Sequence, residues 1–523
     1  MSKQYADSEE LQKKILSGVN KLANNVAATL GPKGRNVILA RKGSNPIVTK
    51  DGVTVAKFID FEDPFENAAA QLIKQAATET NNLAGDGTTT STVLARAIYC
   101  KSQKYLLAGA SPVDLKRGMD KAVEQIVRKL SDISRPVESK EDVEHVATIS
   151  ANGDKTIGRL IAEATDKAGH DGAITVQEAK SFDTSLDMIE GFRFDSGYFA
   201  QAFVTNKRRN AVEYDDILLL VTDYKIETVQ EILPVLELAA RESKPFIIVA
   251  ELVEGQALAA LIMNTVRGSM KVAAVKAPGY GQERRNVMSD LCISTGANFI
   301  SRDSGKKLSE TKLSDLGSCK KVEVLKNQTT FVGGSADWKK IDETIEALRT
   351  EIKQTESMDE CRRLQQRITR LNSGVAIIKV GAPTEVEMIE KKHRVEDALE
   401  AVRSAQSEGI VPGGGASLIH CQDFKIDAAN EGESLGASII RQSLEAPARQ
   451  IAENADQSAD MILYSLREKS ESFEFGWDFV NNKMDNMFSA GIVDPAKVTR
   501  VALQNAVSVA STLITTSNAV VEE

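Results

Sequence analysis

The densest chemistry in the chain is Gly85-Asp86-Gly87-Thr88-Thr89-Thr90, one carboxylate and three hydroxyls on a glycine turn between two stretches that read as helices. Successive backbone N–H groups in a turn that opens a helix form a concavity for anions, and the threonine hydroxyls add donors at the same terminus. Asp86 can hold a hard cation such as Mg²⁺, which in turn neutralises phosphate charge. An ordinary capped helix, with Asp86 and the threonines bonding locally, fits the hexapeptide equally well. Further glycine-bearing turns occur at Leu30-Gly31-Pro32-Lys33-Gly34-Arg35-Asn36, at Lys50-Asp51-Gly52 and at Gly413-Gly414-Gly415. The P-loop pattern and the glycine-rich dinucleotide fingerprint are both absent. Any nucleotide site must therefore be assembled from separated turns.

Composition narrows the classes. A chain of 523 residues is too long for one typical core and suggests roughly 3 or 4 domains. Hydrophobic content of 42% and charged content of 27% fit a globular protein rather than a disordered one. The net charge is -9 and no long Lys/Arg run occurs, which argues against nucleic acid as a partner. Lys207, Arg208 and Arg209 read as a solvated loop. Cys100, Cys292, Cys319, Cys361 and Cys421 lie far apart with no CxxC, so a reducing compartment is the simpler expectation. His145, His170, His393 and His420 form no metal-protease pattern. The polar, acidic start does not read as a targeting peptide, and no stretch approaches a membrane span. A cytoplasmic setting is expected.

The elements that must carry these turns follow from periodicity. Leu11, Ile15, Val19, Leu22, Val26 and Leu30 make one apolar helical stripe, with Asp7 and Glu10 at capping-box spacing. Short strands are expected at 36–40 and 47–49, and helices at 64–84 and from Thr88 onward, alanine-rich to about Arg135. The middle alternates strands (174–177, 217–221, 246–250, 270–275, 298–301) with helices (227–240, 254–267), which predicts a partly parallel α/β sheet. A charged helical pair at 337–355 and 358–371 is expected to turn its polar faces to water rather than to a ligand. After a strand at 375–380, the chain is helical again through 385–407 and mainly so to its end. This order, helical then α/β then helical, admits one domain built from both ends with the middle inserted, or two separate helical domains.

Seven separated segments, Thr29 to Val37, Thr49 to Gly52, Asp86 to Thr90, Ile149 to Asn152, Val272 to Gly279, Glu385 to Asp397 and Gly413 to Gly415, together resemble the group I chaperonins over nearly the whole chain. The resemblance implies a multidomain α/β fold: an equatorial ATPase domain over 1–134 and 409–523, an intermediate domain over 135–190 and 375–408, and an apical domain over 191–374. It implies ATP and Mg²⁺ as cofactors, with K⁺ at backbone oxygens near Thr29 and Lys50. Phosphates are expected over Leu30, Gly31, Pro32 and Asp86, Gly87, Thr88, Thr89 and Thr90, with Asp86 as the magnesium ligand. Asp51 and Asp397 match the catalytic aspartates, Asp397 placing the attacking water on domain closure. Ile149, Gly414, Asp478, Phe479, Ile492 and Asp494 complete the nucleotide set. Asp478 departs from the usual asparagine, and a carboxylate only accepts hydrogen bonds where an amide also donates.

Leu233 and Leu236 on one middle helix, and Leu258, Ile262 and Met263 on the next, share helix faces. Periodicity alone packs both stripes against the sheet. The resemblance instead places them, with Tyr198 and Phe203, among polypeptide-binding residues for non-native clients, while Ala202 stands where tyrosine is common. Gly191 and Gly374 match the hinge glycines, although both can simply end strands. A seven-membered ring is implied, with a ten-kilodalton co-chaperonin as a possible partner. Ser196 replaces an arginine that pairs with an acid at Glu385 of a neighbour, and Asn454-Ala455-Asp456-Gln457-Ser458-Ala459 replaces an acid-and-proline contact between rings. Pairing of rings is therefore expected to be weak or nucleotide-dependent. The chain stops at Val521-Glu522-Glu523 without a Gly-Gly-Met tail. These departures point to a source distant from common bacteria, with a host cytoplasm as the setting if it is a virus. A nucleotide-regulated holdase or ring scaffold, and a small-molecule kinase or ATPase, are the rival readings.

Overall fold

The computed structural model describes residues 3–6, 8–40, 46–168, 173–179, 181–336, 338–355, 357–372, 374–468 and 472–522. Asp7, His170, Asp337 and Glu523 lie outside them. The chain divides into two compact units, one of Met1–Glu163, Glu178–Thr184 and Val380–Glu523, the other of Ala164–Gln177 and Ser185–Lys379. Both chain ends thus build one unit, and most of the middle builds the other.

In the first unit the helix Ser8–Ala27 buries Leu11, Ile15, Val19, Leu22 and Val26, the stripe read from sequence. Leu30 falls outside it. The helix stops at Ala27, and Thr29 N and Leu30 N donate to Val26 O and Ala27 O at 3.1 Å in the turn that follows. Helix Pro64–Ala84 starts on Asp63, whose carboxylate accepts from Phe65 N and Glu66 N, with Pro64 in the first turn where its missing N–H costs nothing. Helices Thr88–Leu107 and Pro112–Ile133 follow. The last helix, Ala496–Thr515, buries Leu503, Ala506, Val507, Ala510 and Leu513 against all three. Strands Lys3–Ala6 and Ala519–Glu522 pair antiparallel, joining the two ends directly.

The second unit holds an eight-stranded sheet. Its order is Val272–Lys276, Phe246–Ala250, Val212–Val221, Gly317–Val324, Thr329–Gly334, Ser185–Phe194, Gly374–Val380 and Ala173–Glu178. The first three strands are parallel; from Val212–Val221 to Gly374–Val380 each pairing is antiparallel. The expected mixed sheet is present, but three antiparallel strands that sequence reading passed over, 185–194, 317–324 and 329–334, lie at its centre. The strand expected at 298–301 is not formed; Ile300 makes one isolated bridge to Thr222 before Ser301 caps a short turn. The charged pair Trp338–Gln354 and Met358–Asn372 turns polar faces outward and apolar faces inward. Ile341, Ile345, Leu348, Leu364, Ile368 and Leu371 enter the core, and Arg367 makes a bidentate pair with the buried Asp290 at 2.7 and 3.0 Å.

Helix Pro112–Ile133 crosses helix Glu431–Ser443 at two reciprocal glycines. A Cβ on Gly118 would lie 1.9 Å from Glu433 O, and one on Gly436 would lie 2.1 Å from Leu115 O. An exposed helical Gly→Ala change gains about 0.5–1 kcal/mol. Gly118→Ala is expected to do the reverse, losing about 1–3 kcal/mol because backbone must move apart. The urea midpoint reads the sign directly: a midpoint at or above that of the parent chain contradicts this packing.

Candidate functional site

The first unit contains a cleft of about 620 Å³, and every sequence-derived nucleotide residue and both candidate catalytic aspartates border it. At one end helix Thr88–Leu107 begins on Gly87, which has φ +82 and offers no side-chain cap. A Cβ there would strain the backbone and meet Val498 Cγ1 at 2.6 Å. The first-turn N–H groups of a helix have no partner within the helix, so this terminus presents donors and positive potential to the cleft. Thr29 Oγ1 and Thr89 Oγ1 are 3.4 Å apart, which places the first glycine turn against the threonine run. Gly52 brings the third segment in as closely, since a Cβ on it would lie 2.3 Å from Thr89 Oγ1.

Acidic groups converge on that terminus. Asp86 Oδ1 accepts from Gly87 N at 2.5 Å, and its Oδ2 accepts from Ser150 Oγ at 2.8 Å. Burial pushes the Asp86 carboxyl above its ordinary range; the two hydrogen bonds oppose this, and the Asp51 charge adds to it. Burial, with the Asp86 charge behind it, raises Asp494 to about 7. Among the described residues no group of three or more His, Cys, Asp or Glu is arranged to hold a metal alone. One carboxylate beside a phosphate cradle instead suits Mg²⁺, which is bound by one or two carboxylates together with substrate phosphates. The Lys50 ammonium donates to Gly31 O at 3.2 Å; burial, then the Arg394 charge, lowers its pKa.

Asp51 also caps a helix. Its Oδ1 accepts from Val53 N at 3.1 Å and its Oδ2 from Thr54 N at 3.2 Å and Thr54 Oγ1 at 2.5 Å, closing the start of helix Gly52–Phe58. Asp397 comes from helix Glu385–Glu408, which packs on helix Lys140–Ser150. That second helix ends in Ile149 and in Ser150, the partner of Asp86. One turn before Asp397, Arg394 also borders the cleft and is held by Glu390 and by Asp154 at 3.3 Å.

Gly414, Asp478, Phe479, Ile492 and Asp494 also border the cleft, Gly413 lying against Ile492 and Asp494 and Gly414 against Phe479. Asp478 is turned onto its own chain: its Oδ1 accepts from Val480 N at 2.8 Å and Asn481 N at 3.0 Å, and its Oδ2 from Asn481 Nδ2 at 2.6 Å. The carboxylate therefore braces the turn after strand Phe475–Asp478. Sequence reasoning did not single out Ser150, Arg394, Ser417 or Trp477 as wall residues. Ser150 lies inside the Ile149 to Asn152 segment and Arg394 at helical spacing from Asp397, so both were within reach of the motifs. Ser417 Oγ is buried without a hydrogen-bond partner, and nothing in its local sequence signals this.

The second unit divides the expected polypeptide-binding set. Leu233 on helix Val229–Glu242 is 45% exposed and Met263 on helix Gly255–Val266 is 47% exposed. Val266, which sequence reading omitted, is 69% exposed. Tyr198, Leu258 and Ile262 are partly buried against the core. Phe203 and Leu236 are corrections: at 0% and 8% exposure they belong to that core, packed with the sheet as periodicity alone had implied. Gly191 lies within strand Ser185–Phe194 where that strand changes partner, from Gly374–Val380 up to Glu190 to Thr329–Gly334 from Gly191 on. Gly374 opens its own strand opposite Glu190.

A sequence model described as the TCP-1/cpn60 chaperonin family matches residues 22–523. Among solved structures, the fold is similar to the chaperonin gp146 from the bacteriophage EL 2 (Pseudomonas aeruginosa), crystallised in the presence of ATP-BeFx. One crystal form superposes with a TM-score of 0.70 and another with 0.63, each at 21% identity and over 99% of both chains. No helix among the described residues is long and apolar enough to cross a membrane.

The raised Asp494 has a measurable consequence. Folded, its carboxyl keeps a proton up to about pH 7, whereas the unperturbed group releases it near 3.8. Between those values the folded state binds more protons, so nucleotide-free, magnesium-free protein loses stability as pH rises from about 4 to 7. Asp494→Asn is expected to flatten that part of the curve. Unfolding midpoints at pH 5 and pH 7.5 check it; an equal slope in the variant excludes Asp494 as its source.

Proposed function

This chain belongs to the TCP-1/cpn60 chaperonin family, and from that premise we propose that it captures non-native polypeptides and folds them within a ring cavity, with ATP hydrolysis driving domain movement. ATP-driven, chaperonin-type folding is the activity of the family; capture, encapsulation and the roles below are the finer reading. The observation that carries it is the convergence of four separated turns with Asp397, Asp478 and Asp494 on one cleft.

In this reading residues 1–134 and 409–523 form the equatorial domain, 135–190 and 375–408 the intermediate domain, and 191–374 the apical domain. The N–H groups and hydroxyls of Thr88, Thr89 and Thr90, with the Gly31 and Pro32 turn, cradle phosphates. Asp86 would hold Mg²⁺, which supplies charge neutralisation at the phosphates. Lys50 adds fixed positive charge beside Gly31, and the backbone oxygens near Thr29 and Lys50 are the place for K⁺. Asp397 aligns the attacking water; a carboxylate can accept its hydrogen bond and fix its direction. Asp51, locked as a helix cap, contributes position and charge rather than movement. Gly191 and Gly374 serve as the hinge.

Leu233, Met263 and Val266 form the client-facing apolar surface, with Tyr198, Leu258 and Ile262 at its edge. A side chain such as methionine adapts to many partners, which suits a surface with varied clients. The chain assembles as a seven-membered ring whose pairing with a second ring is weak; a ten-kilodalton co-chaperonin is its expected lid.

Asp397→Ala should keep ATP binding and slow hydrolysis at least about tenfold, because the lost interaction exists only in the transition state. Asp86→Ala should instead weaken Mg²⁺-dependent nucleotide binding. Turnover near the parent rate in the first, or an unchanged magnesium dependence in the second, refutes the respective role. Leu233→Ser with Met263→Ser should abolish capture of a denatured client while leaving circular dichroism and ring mass unchanged. Each side chain is worth about 1.5–3 kcal/mol when fully buried by a client, and repetition around a ring multiplies the effect. Retained capture counts against this surface. Native mass spectrometry without nucleotide, with ADP and with ATP tests assembly; a double ring that persists at nanomolar concentration in all three contradicts weak pairing.

A further inference from the structure

At the end of helix Ala446–Asn454 two side-chain amides reach different segments at the nucleotide cleft, the chain before Gly31 and the segment of Trp477 to Phe479. The helix closes in a Schellman arrangement: Asp456 N donates to Glu453 O at 3.1 Å and Gln457 N to Ala452 O at 2.9 Å, with Asp456 at φ +56. That closure fixes the backbone of Gln457, and its side chain is then held at both polar atoms. Its Oε1 accepts from the Trp477 indole N–H at 3.0 Å, and its Nε2 donates to the Phe479 carbonyl at 3.1 Å. Three residues earlier, Asn454 Nδ2 donates to Ala27 O at 2.8 Å and Leu30 O at 2.9 Å, the chain that enters the Gly31 turn.

We propose that Gln457 is a positioning residue for the nucleoside end of the cleft, acting through Trp477 and Phe479, and that it leaves the phosphate end untouched. This rests on the nucleotide reading of the cleft. Trp477 and Phe479 flank Asp478 and both border the cleft. Asp478 is committed to its own turn through Val480 and Asn481, so it does not anchor the wall to the body of the unit. Gln457 does. Its amide alone offers an acceptor for an indole N–H and a donor for a carbonyl from one planar group. A partly buried indole N–H requires such a partner. Asn454 is the internal contrast, because its two bonds reach only the phosphate side. By sequence, this stretch was expected to face a second ring, yet the Gln457 amide is bonded within its own subunit.

The full-length assembled protein tests this in a Trp338→Phe background, since the chain has 2 tryptophans and Trp477 then reports alone. ATPase activity is measured against Mg-ATP, with inorganic tripolyphosphate as a competitor lacking a nucleoside. Gln457→Leu is expected to raise KM for ATP about five- to tenfold, with kcat within about twofold and the tripolyphosphate inhibition constant unchanged. Its Trp477 emission should shift, because the indole loses its acceptor. Gln457→Glu keeps that acceptor and loses the donor to Phe479, and should fall between. Asn454→Ala should weaken ATP and tripolyphosphate alike. If Gln457→Leu does not fold by circular dichroism, Gln457→Glu and Trp477→Phe carry the same KM comparison. An unchanged KM for ATP overturns the proposal, and so does an equal loss of both ligands. A parent protein that does not respond to ATP at all refutes instead the nucleotide reading on which the proposal rests.

Discussion

A helix start without a side-chain cap, facing buried carboxylates, is the constraint on which the first unit depends. The N-terminus of helix Thr88–Leu107 leaves donors that the protein does not use. Burial raises the proton affinity of both Asp86 and Asp494, with the Asp51 charge adding to the first and the Asp86 charge to the second. Donors alone invite an anion; carboxylates alone invite a proton or a cation. A phosphate chain carrying a divalent ion answers both at once, and few other ligands do. Satisfying this geometry brings residues near 30, 50, 87, 150, 397, 414 and 494 to one place. Only a unit built from both chain ends can do so, which explains why the last helix packs into the core of the first three.

The parts of this arrangement that sequence revealed share one property: their signal is local and repeated. The stripe on Ser8–Ala27 and the glycine turns each declare themselves within a few residues. The buried parallel strands 246–250 and 272–276 were visible as unbroken apolar runs, since both faces are covered. Strands 185–194 and 317–324 were not. Their alternation is interrupted by Asp187, Glu190, Lys320 and Lys321, and only pairing with neighbours far along the chain defines them. The bonds of Gln457 to Trp477 and Phe479 likewise join segments about twenty residues apart and leave no periodic trace.

Several residues with chemical potential spend it on local structure. Asp51 closes a helix, and Asp478 closes a turn. Neither observation removes them from the cleft; it restricts what they can do there. A carboxylate whose oxygens already accept from backbone N–H groups is fixed in place by them. Helix Glu385–Glu408 brings Asp397 and Arg394 to the cleft while resting on the helix that carries Ser150. Any displacement of that pair would be felt at Asp86 through the Ser150 hydroxyl.

Under the proposed function, the split among the apolar residues of the second unit answers two demands that one side chain cannot meet. A core residue must stay packed, whereas a residue that binds and releases clients must lose and regain its contacts without unfolding the domain. Phe203 and Leu236 meet the first demand, sealed against the sheet with Ile232 and Leu261. Leu233 on helix Val229–Glu242, and Met263 and Val266 on helix Gly255–Val266, stay largely exposed beside them. Stability of the unit is thereby independent of whether the outer face is covered. An apolar patch of this kind is a liability on an isolated chain. It becomes usable when the chain assembles so that the patch faces an enclosed space, and that is the arrangement a ring supplies.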